Sequence, residues 1–168
     1  MAELEAEIAR LIREYQGKTG KSLTIGAVES ATGGRIADRI TNVSGSSDYF
    51  KGSVVAYSNE VKIALLGVKR ATIENYGALS EQTALEMARG GKKLLDVDIC
   101  VSDTGIAGPS GATPEKPVGL FYLGLAAEDT SLSQKHAFPG SREENKRDAA
   151  EAALNMLKQY LLRCSQRL

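Results

Sequence analysis

The sequence predicts an α/β fold: three layers, α/β/α, around a mixed, mostly parallel central sheet. Three observations carry the prediction. Helical periodicities alternate with short apolar runs along the chain. The runs Leu23 to Val28, Val97 to Thr104 and Val118 to Ala126 are nearly continuous in apolar residues, the pattern of strands covered on both faces. Toward the end, several strands follow one another without a helix between them, which calls for antiparallel partners.

Each element follows in order. Leu4, Ile8, Leu11, Ile12 and Tyr15 recur at helical spacing, with Gly17 and Gly20 as stops. The strand Leu23 to Val28 leads into Glu29-Ser30-Ala31-Thr32-Gly33-Gly34 and then a helix with Ile36, Ala37 and Ile40. A polar loop, Asn42 to Asp48, precedes the β-rich Val54 to Tyr57. Ser58 or Asn59 caps a short helix from Glu60 to Leu66, a second runs from Ala71 to Tyr76, and glycines 67 and 77 stop them. Ser80 caps a longer helix whose apolar face is Ala84, Met87, Ala88, Gly91 and Leu95. The Val97 strand opens into the glycine-rich Thr104 to Gly111, and the proline-containing 111–117 stretch is a stiff surface loop. Two strands follow, the second carrying His136, and a helix from Arg142 to Leu162 closes the chain. We expect one domain over residues 1–168, with its core at about 23–162.

Composition narrows function. The formal net charge is zero and aromatic residues make up 5% without a tryptophan, which gives no footing for nucleic acid. No apolar run reaches the ~20 residues of a membrane span, and the acidic start lacks the form of a signal peptide, so a cytoplasmic protein with no membrane partner is expected. Cys100 and Cys164 form no CxxC pattern, and a single histidine leaves no Cys/His spacing for a metal; neither metal nor cofactor is expected. A Ser-His-Asp triad would have to use His136, which sits in a plain strand-like stretch, so another group should serve as base.

Ligands of open α/β sheets bind beyond the carboxyl ends of strands. Three segments lie there. Ser30, Thr32, Gly33 and Gly34 form a strand-to-helix turn whose amides and hydroxyls could cradle an anion. Thr104, Gly105, Ala107 and Gly108 follow a buried strand in a loop rich in exposed amides. Tyr57 ends a third strand, and Lys62 falls in the first turn of the next helix. There the helix dipole and partial burial would lower its pKa toward that of a usable base. Candidate nucleophiles are Ser30, Ser46 and Ser47, and spacing does not choose among them. Arg142 and Arg147, early in the last helix, suit a phosphate.

Taken together, Glu29-Ser30-Ala31-Thr32-Gly33-Gly34, Gly45-Ser46-Ser47, Tyr57-Ser58-Asn59-Glu60-Val61-Lys62, Leu65 to Val68, Gly77-Ala78-Leu79-Ser80, Thr104 to Pro109 and Lys116-Pro117-Val118-Gly119 resemble the CinA carboxyl-terminal domain family. The resemblance covers about Leu23 to Leu162. It implies a nicotinamide-nucleotide amidohydrolase that converts nicotinamide mononucleotide to nicotinate mononucleotide and ammonia by a serine–lysine mechanism with a tyrosine helper and no metal. Carried onto this chain, the nucleophile falls on Ser47, the base on Lys62 and the helper on Tyr57. Ser30 becomes a substrate or structural contact, Thr104 and the Gly105 to Gly108 backbone form the binding loop, and the arginine is Arg142 or Arg147. Asp103 stands where a small or apolar residue is expected. The rival reading is a non-catalytic nucleotide-binding module linked to competence or DNA damage. A homodimer or higher homo-oligomer is expected in either case.

Overall fold

The computed structural model describes residues 3–168. The chain runs α1 (Leu4–Thr19), β1 (Ile25–Glu29), α2 (Arg35–Thr41), β2 (Phe50–Val55), α3 (Asn59–Leu66), α4 (Arg70–Tyr76), α5 (Glu81–Leu95), β3 (Ile99–Gly105), β4 (Leu120–Ala126), β5 (Ser131–Ala137) and α6 (Arg142–Gln166). The strands form one mixed sheet in the order β2-β1-β3-β4-β5. β1 pairs in parallel with β2 and β3, while β4 is antiparallel to both β3 and β5. The parallel part is therefore the three strands joined by helical crossovers, and the consecutive β3, β4 and β5 form the antiparallel part.

Alternation along each strand sends side chains to opposite layers. Ile25, Ala27, Ile99, Val101, Leu123 and Leu125 meet Ile8, Leu11 and Ile12 of α1, Ile36 and Ile40 of α2, and Leu154 and Leu157 of α6. Val28 and Cys100 face the other way, onto Leu66 and Met87. Helix α1 lies outside the 23–162 span expected for the core, yet its apolar stripe completes this core by packing along α6. Gly17 does not stop it; the helix continues to Thr19, and Gly20 caps it in the left-handed region. Helix α5 lies unusually close to the sheet. A Cβ at Gly91 would stand 2.5 Å from a Val28 methyl, and one at Gly124 would stand 2.4 Å from the Ala84 carbonyl.

The caps agree with the sequence. The Ser58 hydroxyl accepts from the Val61 amide and the Ser80 hydroxyl from the Thr83 amide. Ser141 and Glu144 form a reciprocal capping box at the start of α6. Together these place three helix starts (α2, α3 and α6) and the 105–111 loop around the carboxyl ends of β1, β2 and β3. No described helix is long and apolar enough to cross a membrane.

Candidate active site

The strand order turns about β1: the chain steps from β1 to β2 on one side and to β3 on the other. The crevice at such a reversal is where an open sheet offers its ligand site. Here it holds a cavity of about 490 Å³ lined by Ser30, Tyr57, Lys62, the 104–108 loop, Lys116 and Arg142, among others.

Lys62 is the centre of this geometry. Its side chain runs beneath α3 and is 2% exposed. Nζ lies 2.9 Å from the Ala56 carbonyl oxygen, 3.1 Å from that of Tyr57 and 3.0 Å from Ser30 Oγ. An amine nitrogen has three such positions. Two are fixed as N–H donors, because carbonyl oxygens can only accept. The third faces the serine and is free to be either an N–H or a lone pair. Burial holds the Lys62 ammonium below the usual lysine value, and the charge of Asp103 opposes part of that shift.

Around this pair, Tyr57 is exposed, and its hydroxyl accepts from Arg142 Nη2 at 3.3 Å. Arg142 Nη1 donates to the Gly108 carbonyl at 2.8 Å, so the first turn of α6 is tied to the glycine loop. Thr104 donates its hydroxyl to the Ala78 carbonyl at 2.8 Å. Lys62, Lys116 and Arg142 bring three basic side chains to the cavity, and among the described residues no carboxylate lines it. Ala31, next in chain to Ser30, lines the cavity, and its amide has no protein acceptor among the described residues.

The structure does not bring Ser47 to Lys62. Ser47 is exposed in the 3-10 turn Ser46–Asp48 ahead of β2, whereas Lys62 follows β2. A six-residue strand separates the two by about 20 Å. The serine within hydrogen-bond distance of the lysine is Ser30. Arg147 is likewise elsewhere. It is exposed, pairs with Asp148, and borders a groove between α1 and α6, which leaves Arg142 as the arginine of the cavity.

The anion cradle expected at Thr32, Gly33 and Gly34 is already filled by the chain itself. Glu29 Oε1 accepts from the Thr32 hydroxyl (2.7 Å) and from the Gly34 (3.2 Å) and Ile36 (2.9 Å) amides. Its Oε2 accepts from the Ala37 amide (3.1 Å) and the Ser53 hydroxyl (3.0 Å). The positive end of α2 therefore faces an internal carboxylate rather than a ligand. Asp103 works beside it, accepting from the Ser30 and Thr32 amides at 3.1 Å each and contacting the Thr32 hydroxyl. An acidic residue in place of a small one thus serves as the floor of the Ser30 turn. Burial pushes its carboxyl up to about 6 and the charge of Glu29 adds to this, while hydrogen bonds from Thr32 and Ser30 resist.

Sequence reasoning missed Lys116. Its Nζ donates to the Tyr76 (2.8 Å) and Leu79 (2.7 Å) carbonyls, tying the 111–117 loop to the connection between α4 and α5. A lysine in an irregular loop carries no periodic signal, and its only other marks are its charge and its place at the head of the Lys116-Pro117-Val118-Gly119 segment. His136 lies on β5 away from the cavity, bonded to Gln134 and stacked on Phe138.

Comparison with known proteins places this arrangement. The family described as the CinA C-terminal domain matches residues 3–161. A CinA-like protein of Kosmotoga olearia is 47% identical over 159 residues, covering 95% of this chain and 37% of its own length. The chain thus spans well under half of the curated relatives it matches. Among solved structures, the competence/damage inducible protein CihA of Agrobacterium tumefaciens superposes with a TM-score of 0.84 at 35% identity, covering 94% of each chain. The competence damage-inducible protein A of Klebsiella pneumoniae superposes with a TM-score of 0.86 at 25% identity, over 96% of this chain and 98% of its own. Fold and sequence converge, and the chain belongs to the CinA C-terminal domain family.

Proposed function

We propose that this protein is a cytoplasmic amidohydrolase that deamidates nicotinamide mononucleotide to nicotinate mononucleotide and ammonia, with Ser30 as nucleophile and Lys62 as base. The observation that carries the reading is the 3.0 Å approach of a buried lysine amine to Ser30 Oγ, with the other two positions of that amine taken by carbonyls. A neutral Lys62 accepts the Ser30 proton as Oγ attacks the carboxamide carbon. The Ala31 amide stabilises the oxyanion from the position next to the nucleophile. Lys62 returns the proton to the departing nitrogen, which leaves as ammonia, and water then hydrolyses the acyl-serine by the same proton route. Tyr57, held by Arg142 at the cavity wall, serves as the helper beside the pair.

The substrate follows from the family resemblance, and the charge of the cavity supports it. Lys116, Arg142 and the 105–111 loop form a cationic wall suited to the phosphate. The phosphate is assigned to that wall because the α2 start is filled by Glu29. The chain forms a homodimer or higher homo-oligomer in this reading, and sedimentation velocity on the purified chain tests it.

The deciding experiment is ammonia release from nicotinamide mononucleotide by the parent, Ser30→Ala, Lys62→Met and Ser47→Ala. The expected result is turnover in the parent and in Ser47→Ala, with the other two inactive. The competence and damage names of the neighbours favour the rival, a nucleotide-binding module. Bound nucleotide with no ammonia from the parent would select that rival.

A further inference from the structure

We propose that Asp103 is a positioning residue for the Ser30–Lys62 pair, and that in mildly acidic solution it is an un-ionised acid sharing a proton line with Glu29 through the Thr32 hydroxyl. The inference rests on the serine–lysine reading above.

Proton accounting carries it. The Thr32 hydroxyl lies within hydrogen-bond distance of both Glu29 Oε1 and Asp103 Oδ2. A hydroxyl has one proton to give. If both carboxyls were ionised, one of these two contacts would be an oxygen against an oxygen with no proton between them, buried away from water. A proton on one carboxyl resolves the conflict: the acid donates to Thr32, and Thr32 donates to the other carboxylate. Glu29 receives the Gly34, Ile36 and Ala37 amides and the Ser53 hydroxyl, and it faces the positive end of α2. Its charge is well compensated. Asp103 receives two further amides and, among the described residues, has no cation in hydrogen-bond contact. The proton therefore belongs on Asp103, and the upward push on its carboxyl agrees.

The surroundings add no competing group. From β1 the carboxylate of Glu29 faces Asp103, and from α3 the Lys62 amine acts on it through space. Strand β4 sets Leu123 opposite it, and from α6 the Lys146 ammonium lies against Gly33 of the same turn. Asp103 touches neither the cavity nor Lys62, so its effect on chemistry runs through other groups. It accepts from the Ser30 amide, which fixes where Oγ sits. While un-ionised, it also leaves no anion beside Lys62 to raise the basicity of that amine.

The test compares Asp103→Asn, which keeps the Thr32 amide's acceptor and puts an uncharged donor toward the Thr32 hydroxyl but no longer accepts from the Ser30 amide, with Asp103→Ala, which leaves both the Ser30 and Thr32 amides unpaired. Asparagine should lower kcat clearly less than alanine, and alanine should lower it at least about tenfold with KM little changed. In Asp103→Asn the rise of kcat/KM with pH should begin at lower pH than in the parent, since no anion ever forms near Lys62. Carbon NMR of aspartate-labelled protein gives an arm that needs no substrate: one carboxyl should titrate near pH 6 and be missing from Asp103→Asn. Asparagine falling as far as alanine, or every aspartate titrating in the ordinary range, would overturn the proposal. The NMR arm reads the ionisation of Asp103 directly, whether or not the parent releases ammonia.

Discussion

Lys62 sits in the first turns of α3, where the helix dipole disfavours a cation, and it is almost wholly buried without a described carboxylate in contact. Both circumstances favour the free amine, and the Ala56 and Tyr57 carbonyls orient it toward Ser30. Replacing it with arginine should therefore fail even though the charge is kept, because a guanidinium does not deprotonate near neutrality. Lys62→Arg should lose at least about a thousandfold in kcat with the fold retained, measured as steady-state ammonia release beside circular dichroism. Arg142 tests a different role. Its guanidinium joins Tyr57 to the glycine loop at the cavity wall, whereas Arg147 is exposed outside it. Arg142→Ala should raise KM by about 10- to 100-fold, the worth of a charge-assisted contact, and Arg147→Ala should leave KM unchanged.

Helix α2 starts on a carboxylate supplied by the strand before it. Glu29 leaves β1 and turns back to accept three amides from the turn and α2 start, together with two hydroxyls. Glu29→Ala removes that acceptor and strands several buried donors. It should cost about 3–5 kcal/mol in urea unfolding, more than the ~1 kcal/mol of an ordinary cap. A control at α3, Ser58→Ala, should stay near the ordinary figure. This element also shows what sequence could convey. Periodicity, caps and apolar runs depend on neighbours in the chain, so the helices and buried strands were legible, as was the pairing of Tyr57 with Lys62 at one strand end. The Ser30–Lys62 contact joins β1 to α3, and Asp103 reaches the same turn from β3. Such contacts depend on sheet order, which no local pattern records. A motif of serine, threonine and glycines looks the same whether its amides face a ligand or, as here, an internal acid.

For the molecule as a whole, Asp103 links stability to pH. Its carboxyl lies at about 6 in the fold against about 4 in the unfolded chain, so the folded state holds the proton more tightly. Its contribution is full below about pH 4, declines as pH rises toward 6 and is gone above, a change of about 3 kcal/mol. Glu5, Glu7, Asp129 and Glu144 are held low by their partners and act with the opposite sign, losing stability as pH falls. The difference between parent and Asp103→Asn isolates the first effect. Relative to the variant, the parent's unfolding free energy should fall between about pH 4 and 6 and run level above.

The floor of the Ser30 turn has a bearing on the order in which the chain is made. β1, β2 and α3 leave the ribosome before β3, and serine and lysine can meet as soon as β1 and β2 pair side by side. Asp103 is synthesised about forty residues after Lys62, on the strand that takes the other flank of β1. Until that strand emerges, the amides of Ser30 and Thr32 lack their acceptor. A nascent chain halted before β3 would thus hold the Ser30 turn without its floor, and the turn would be fixed only when the third strand takes its place beside β1.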